Sequence, residues 1–199
     1  MKRQHQVILI SSFLPLCWMA FMAVHELGHV LGAKVTGGTV AKVVIHPLAI
    51  SRTDVSSNPS PLITVWAGPI LGVSLPVFLW SFMYWWRMKT EFLARFFAGF
   101  CLVANGVYLG VGSFEPIGDA HVIVSRGTPS WCLWLFGIAT VSLAILAGGY
   151  LVVNRETHLL GMQMSSKPLS VGEILMFFGF LIGASDPARK LSEVWTGLQ

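Results

Sequence analysis

Residues 7–33 read VILISSFLPLCWMAFMAVHELGHVLGA, an apolar stretch whose charged or imidazole side chains are those of His25, Glu26 and His29. An α-helix rises about 1.5 Å per residue, so about 20 apolar residues cross the ~30 Å hydrocarbon core of a bilayer. The stretch is therefore long enough to span a membrane as one helix. We therefore interpret the chain as one that folds in a lipid bilayer.

The composition of the whole chain agrees with this. Of its residues, 54% are apolar and 11% are charged, whereas about 25% are charged in soluble domains. The net charge of +4 comes from Lys and Arg in the connections between apolar runs, and no basic stripe indicates nucleic-acid binding. Cys17, Cys101 and Cys132 lie singly, without the paired spacing of a metal knuckle or a redox motif. We expect the lipid bilayer as a partner and no nucleic acid.

Further apolar runs predict further membrane segments. Three runs are long enough to span as helices: 62–86, 92–114 and 131–153. Two others, 120–124 and 174–184, are shorter than a full span. The prediction is four to six membrane segments in one domain that covers residues 1–199.

Between the first two spans the pattern changes. Residues 39–50 include Val43, Val44 and Ile45, β-branched residues that favour a strand over a helix. Residues 52–60 are polar and rich in turn formers, which predicts a loop. The expected fold class is an all-α polytopic membrane protein: a bundle of transmembrane helices with a short membrane-associated strand or hairpin after the first helix.

Small and polar residues in the second and third spans predict how the helices meet. Gly68 and Gly72 lie about one helical turn apart, as do Gly106 and Gly110, and each pair lets another backbone approach closely. Asn105 has two interpretations. It could bind substrate carbonyls or an oxyanion, or it could join two helices by hydrogen bonds.

The chemistry of the first span lies in His25-Glu26-Leu27-Gly28-His29. Residues four apart share a face of a helix, so both imidazoles face one point, with Glu26 within reach of a metal-bound water. Zinc suits this arrangement because it accepts nitrogen and oxygen ligands and keeps an open position for a water whose pKa it lowers. Glu26 would then act as the general base. The alternative is that these side chains only form hydrogen bonds with neighbouring helices.

A catalytic zinc normally has three protein ligands, so another segment must supply one more. We choose Asp119, which stands among apolar residues after a Pro-Ile-Gly turn. It could instead cap a helix that begins near Ala120. Glu115, His46 and His121 are the other candidates for the third position, and His121 could alternatively orient Asp119.

These motifs resemble the site-two protease family of intramembrane zinc metallopeptidases, particularly its small bacterial members. The likeness covers about residues 18–125 and rests on VHELGHVLGA at 24–33, GGTV at 37–40, AGP at 67–69 and PIGD at 116–119. The resemblance implies that His25, His29 and Asp119 hold zinc and that Glu26 is the base. It also implies that a membrane-associated strand helps to present an unwound substrate.

The expected function is a multi-pass zinc endopeptidase of a bacterial-type cell membrane, with transmembrane or membrane-proximal segments of other proteins as substrates. One alternative is a catalytically inactive relative that binds membrane proteins without cutting them. In the family a glycine usually follows the aspartate and an asparagine lies eight positions before it, whereas here those positions hold Ala120 and Val111. A metal transporter is the other alternative, but it would carry ionisable groups on several spans. The second and fourth spans have almost none.

Overall fold

The computed structural model describes residues 3–48, 51–114 and 117–153. Within them the elements are, in order, α1 (Arg3–Val35), β1 (Thr39–Val44), β2 (Arg52–Ser57), α2 (Pro61–Trp85), α3 (Glu91–Gly112), α4 (Asp119–Ser125) and α5 (Ser130–Val153). The chain divides into two compact units, Met1–Gly148 and Gly149–Gln199, and the features below belong to the first. The predicted apolar run at 174–184 lies outside the described residues, and the single domain stays a prediction.

Among the described residues, three helices are long and apolar enough to cross a membrane: Ser11–Val35 of α1, together with α2 and α3. They lie at the first three predicted spans and differ from them by a few residues at their ends, which is the usual uncertainty of helix boundaries. The fifth helix, α5, starts at the predicted fourth span.

The segment after α1 is an antiparallel hairpin in which Thr39 lies opposite Ser57 and Val44 opposite Arg52. The prediction of a strand or hairpin over 39–50 and a loop over 52–60 was partly wrong. The first strand ends before Pro47, which cannot donate a backbone hydrogen bond to a neighbouring strand. The second strand occupies most of the expected loop. Its residues are polar because the hairpin is largely exposed, and strand formation there depends on pairing with β1.

Small residues set the distance between α1 and α2. A Cβ atom placed on Gly28 would lie 2.7 Å from the Cα atom of Gly68, and one on Gly32 would lie 2.6 Å from the Cβ atom of Ala67. Both separations are shorter than carbon atoms allow, so only glycine fits at this helix crossing. The glycine inside the His-Glu-Leu-Gly-His motif therefore lets this turn of α1 approach α2 closely.

The predicted close approach at Gly106 and Gly110 is confirmed, and the partner is α5. A Cβ atom on Gly137 would lie 2.8 Å from the carbonyl oxygen of Gly106 and 3.2 Å from the Cα atom of Gly110. A hydrophobic cluster then links four helices through Val65, Leu109, Ala120, Ile123 and Leu133. Because two of its members belong to α4, this core holds in place the short helix whose first residue is Asp119.

Candidate metal centre

His25 and His29 lie one turn apart in α1 and are both buried, with 7% of each residue exposed. The Nε2 atom of His25 lies 2.8 Å from Oδ2 of Asp119, and the Nε2 atom of His29 lies 3.3 Å from the same oxygen. One possible ligand atom from each of the three residues falls within 4.8 Å of the others. The structure thus brings together the three residues that were predicted as metal ligands, from helices far apart in sequence.

A sharp turn before α4 brings Asp119 to this position. Gly118 has a φ of 58° and a ψ of −129°, a backbone conformation that residues with a side chain rarely adopt. The backbone N–H of Asp119 donates to the hydroxyl of Tyr108 at 3.1 Å, which ties the turn to α3. Asp119 is the first residue of α4, and the cap position before it is Gly118, which has no side chain that could cap the helix. The Asp119 carboxylate contacts the histidines, so capping is not its role here.

The Nδ1 atoms of both histidines, which do not face Asp119, form hydrogen bonds with other residues. The Nδ1 atom of His25 donates to Oδ1 of Asn105 at 2.9 Å, and the Nδ1 atom of His29 donates to the backbone oxygen of Thr64 at 2.9 Å. Asn105 is itself oriented, because its Nδ2 donates to the backbone oxygen of Cys101 at 2.9 Å. Both partners of the histidines are acceptors, so each Nδ1 carries a proton, and each Nε2, which faces Asp119, is the nitrogen that would bind a metal. This is the usual arrangement of metal-ligating histidines, and the site fits a metal ion.

The glycines of α2 serve this site. A close approach of another backbone was predicted for Gly68 and Gly72. A Cβ atom on Gly68 would meet the imidazole ring of His29, and one on Gly72 would lie 2.7 Å from Nδ2 of Asn105. At Gly72 the prediction was wrong, since a side chain fills the space. Gly68 faces both the backbone of Gly28 and the His29 ring.

The predicted general base, Glu26, is 3% exposed and lies one residue from His25. Its Oε2 accepts a hydrogen bond of 2.7 Å from the hydroxyl of Thr53 in β2. Glu26 is thus buried in the same turn of α1 as His25 and His29, and the hairpin contacts it directly.

The remaining candidates lie elsewhere or outside the described residues. His46 is exposed in the turn after β1, where its Nδ1 accepts the backbone N–H of Leu48 at 3.1 Å. His121 is exposed and, within the described part of the chain, makes no hydrogen bond to Asp119. Glu115 is not among the described residues. Asn105 joins α3 to α1 through His25, which is the second of its two interpretations.

Asp119 lies outside the three long apolar helices. Burial raises the pKa of its carboxyl group, but hydrogen bonds from His25 and His29, and their charges, lower that pKa to about 2. The carboxylate is therefore ionised near neutral pH, as a metal ligand must be.

Two contacts could not be read from the sequence, and a third had only a weak signal there. The Thr64 contact uses a backbone oxygen, which no residue type reveals. Thr53 lies in a polar stretch that resembles a loop, and its bond to Glu26 depends on how the hairpin is placed. Tyr108 offered a weak signal, since it is a polar-tipped residue in an apolar span.

The group of His25, His29 and Asp119 could hold a metal ion. No family model, curated protein or solved structure matches the chain. Two imidazole nitrogens and one carboxylate oxygen form a donor set typical of catalytic zinc, with a fourth position left for water or substrate. A buried glutamate beside such a set is the usual partner for hydrolytic chemistry.

Proposed function

We propose that the chain is a polytopic membrane zinc endopeptidase, similar in mechanism to the site-two proteases, that hydrolyses peptide bonds in transmembrane or membrane-proximal segments of other proteins. One observation carries the proposal. His25, His29 and Asp119 converge from α1 and α4, while Glu26 is buried in the same turn as the histidines.

The membrane setting is supported by the position of these groups within α1. His25, Glu26 and His29 fall inside Ser11–Val35, a helix that is apolar and long enough to span a bilayer. An ionised glutamate at the centre of a span costs roughly 2.5–3.5 kcal/mol on insertion scales, so such residues usually have a function. All three side chains are buried within the protein.

The proposed reaction divides the work among residues of this chain. When bound, a zinc ion supplies a nucleophilic water near neutral pH and polarises the carbonyl that is attacked. His25 and His29 keep their Nε2 atoms directed inward because Asn105 and Thr64 fix their rings. Glu26 accepts the proton of the attacking water and transfers it to the leaving amine.

The substrate class follows from where the site lies. A peptide bond in a membrane helix has its carbonyl engaged in the helix's own hydrogen bonds, so the segment must unwind locally before it is cut. The β1–β2 hairpin lies against α1 and offers an edge on which an extended segment can pair. A membrane protein with a readily unwound span is therefore the proposed substrate.

Replacing Glu26 by glutamine tests the mechanism. Glu26→Gln keeps the shape of the side chain and removes the proton acceptor, so we expect cleavage to fall about 100-fold or more while zinc remains bound. The assay reconstitutes the protein with a library of single-span segments and measures fragments by mass spectrometry.

The matched control is Glu91→Gln. Glu91 lies at the start of α3, where it contacts Trp80 and Arg95, and its replacement should leave cleavage unchanged. Undiminished cleavage by Glu26→Gln would refute the mechanism. A wild-type protein that binds zinc but cuts no segment of the library would point to the inactive relative.

A further inference from the structure

The β1–β2 hairpin is attached to one stripe of α1. Residues 18, 22 and 26 are four apart and so lie on one face of the helix. Three hydrogen bonds tie the hairpin region to this stripe: Trp18 Nε1 to the oxygen of Pro47 at 3.1 Å, Ser51 Oγ to the sulfur of Met22 at 3.1 Å, and Thr53 Oγ1 to Oε2 of Glu26 at 2.7 Å. The hairpin region thus runs along α1 from Trp18 to Glu26, the proposed base.

The two histidines of α1 and Glu26 consequently have different neighbours. His25 and His29 contact α2, α3 and α4 through Thr64, Asn105 and Asp119. Glu26, about 100° further round the helix than His25, contacts the hairpin through Thr53. The ligands are held by the helix bundle, whereas the base is held by the hairpin.

The contact with Thr53 leaves the carboxylate able to take a proton. Within the described residues, the hydroxyl of Thr53 is the sole hydrogen-bond donor to the Glu26 side chain, and it binds Oε2. The same hydroxyl lies 3.4 Å from the backbone oxygen of Glu26. A carboxylate needs one oxygen for proton transfer, and Oε1 remains for that purpose. A side chain with three rotatable bonds is thereby held in one orientation.

We infer that Thr53 is a positioning residue for the base: its hydroxyl holds the Glu26 carboxylate in the orientation used for proton transfer, so that activity requires the hairpin to be seated on α1. The inference rests on the proposed function. It assigns the hairpin a second task, because the element that offers an edge to the substrate also orients the group that acts on it.

The decisive variant is Thr53→Val, which replaces the hydroxyl by a methyl group and keeps a β-branched residue suited to a strand. We expect kcat to fall by about 10- to 100-fold, as misplacement of a reacting group typically causes. KM and zinc stoichiometry should stay at the wild-type values, because neither the metal ligands nor the strand pairing changes. Thr53→Ser retains the hydroxyl and should recover most of kcat.

The matched control is Thr90→Val just before α3, the same change outside the hairpin. Thr90 is exposed, and its side chain makes no capping hydrogen bond. This variant should behave as wild type. All four proteins are compared on the best-cut segment of the single-span library, with zinc measured by elemental analysis.

The outcomes separate the inference from the proposed function. If the wild type cuts and Thr53→Val has the same or a higher kcat, the positioning role is wrong and the proposed function stands. Equal losses in Thr53→Val and Thr53→Ser would also overturn the role, because the hydroxyl would then not be the cause. If the zinc-loaded wild type cuts nothing, the proposed function fails and the inference falls with it.

Discussion

The side chain of Asp119 is chemically suited to two different roles. As a short carboxylate at the start of a helix, it suits N-capping as well as metal binding. Its backbone amide is engaged by Tyr108 and its carboxylate faces both histidines. The choice between the two roles is made by the Gly118 turn, which directs the side chain towards α1 instead of along α4.

At the residue scale we therefore predict that Asp119 completes the metal site. Asp119→Ala should lower zinc affinity by more than about 100-fold, since loss of a ligand exceeds the 10- to 100-fold typical of outer partners. His121→Ala and Glu115→Ala should still bind zinc stoichiometrically. Titration against a competing chelator measures all three. Wild-type affinity in Asp119→Ala would exclude it as a ligand.

At the scale of elements, α2 supports the site through a backbone oxygen and two glycines. The turn of α2 from Thr64 to Gly68 both accepts the bond from His29 and makes room for its ring. One further turn along, Gly72 makes room for Asn105. The site thus depends on α2 although that helix contributes no ligand side chain.

This predicts a specific effect of Gly68→Ala. The added Cβ would lie 2.9 Å from Nδ1 of His29 and closer still to other ring atoms, so the ring must move. We expect zinc affinity to fall by at least about 10-fold. Gly99→Ala in α3 is the control, because a Cβ there meets nothing within 4 Å. Both changes raise helix propensity alike, so equal zinc affinities in the two variants would contradict the proposed contact.

For the whole molecule, the metal would connect segments 94 positions apart in sequence, α1 and α4. A ligand that binds only the folded state stabilises it, by about 2.7 kcal/mol at a concentration 100 times its Kd. We predict one zinc per chain by elemental analysis and a higher thermal midpoint in detergent with zinc than with chelator. Asp119→Ala should lose this difference. Purified protein without zinc that cannot be reloaded would remove the basis of the proposed function.

Local patterns made parts of the fold predictable. The long apolar helices could be located because crossing a bilayer demands about 20 consecutive apolar residues, whatever the helix packs against. The turn of α1 that holds His25, Glu26 and His29 follows from helix geometry, since residues four apart share a face in any helix. These features depend on residues close together in the chain, and the amino-acid sequence by itself determined them.

Contacts between distant segments were decided by the tertiary structure. Four residues were candidates for the third ligand on chemical grounds, and packing of α4 in the core brings Asp119 to the histidines. The second strand could not be recognised, because its polar residues favour a strand only when β1 lies beside them. The same is true of Asn105 on His25 and Thr53 on Glu26, 80 and 27 positions apart. Such pairs depend on how whole helices and strands pack, which no short stretch of sequence specifies.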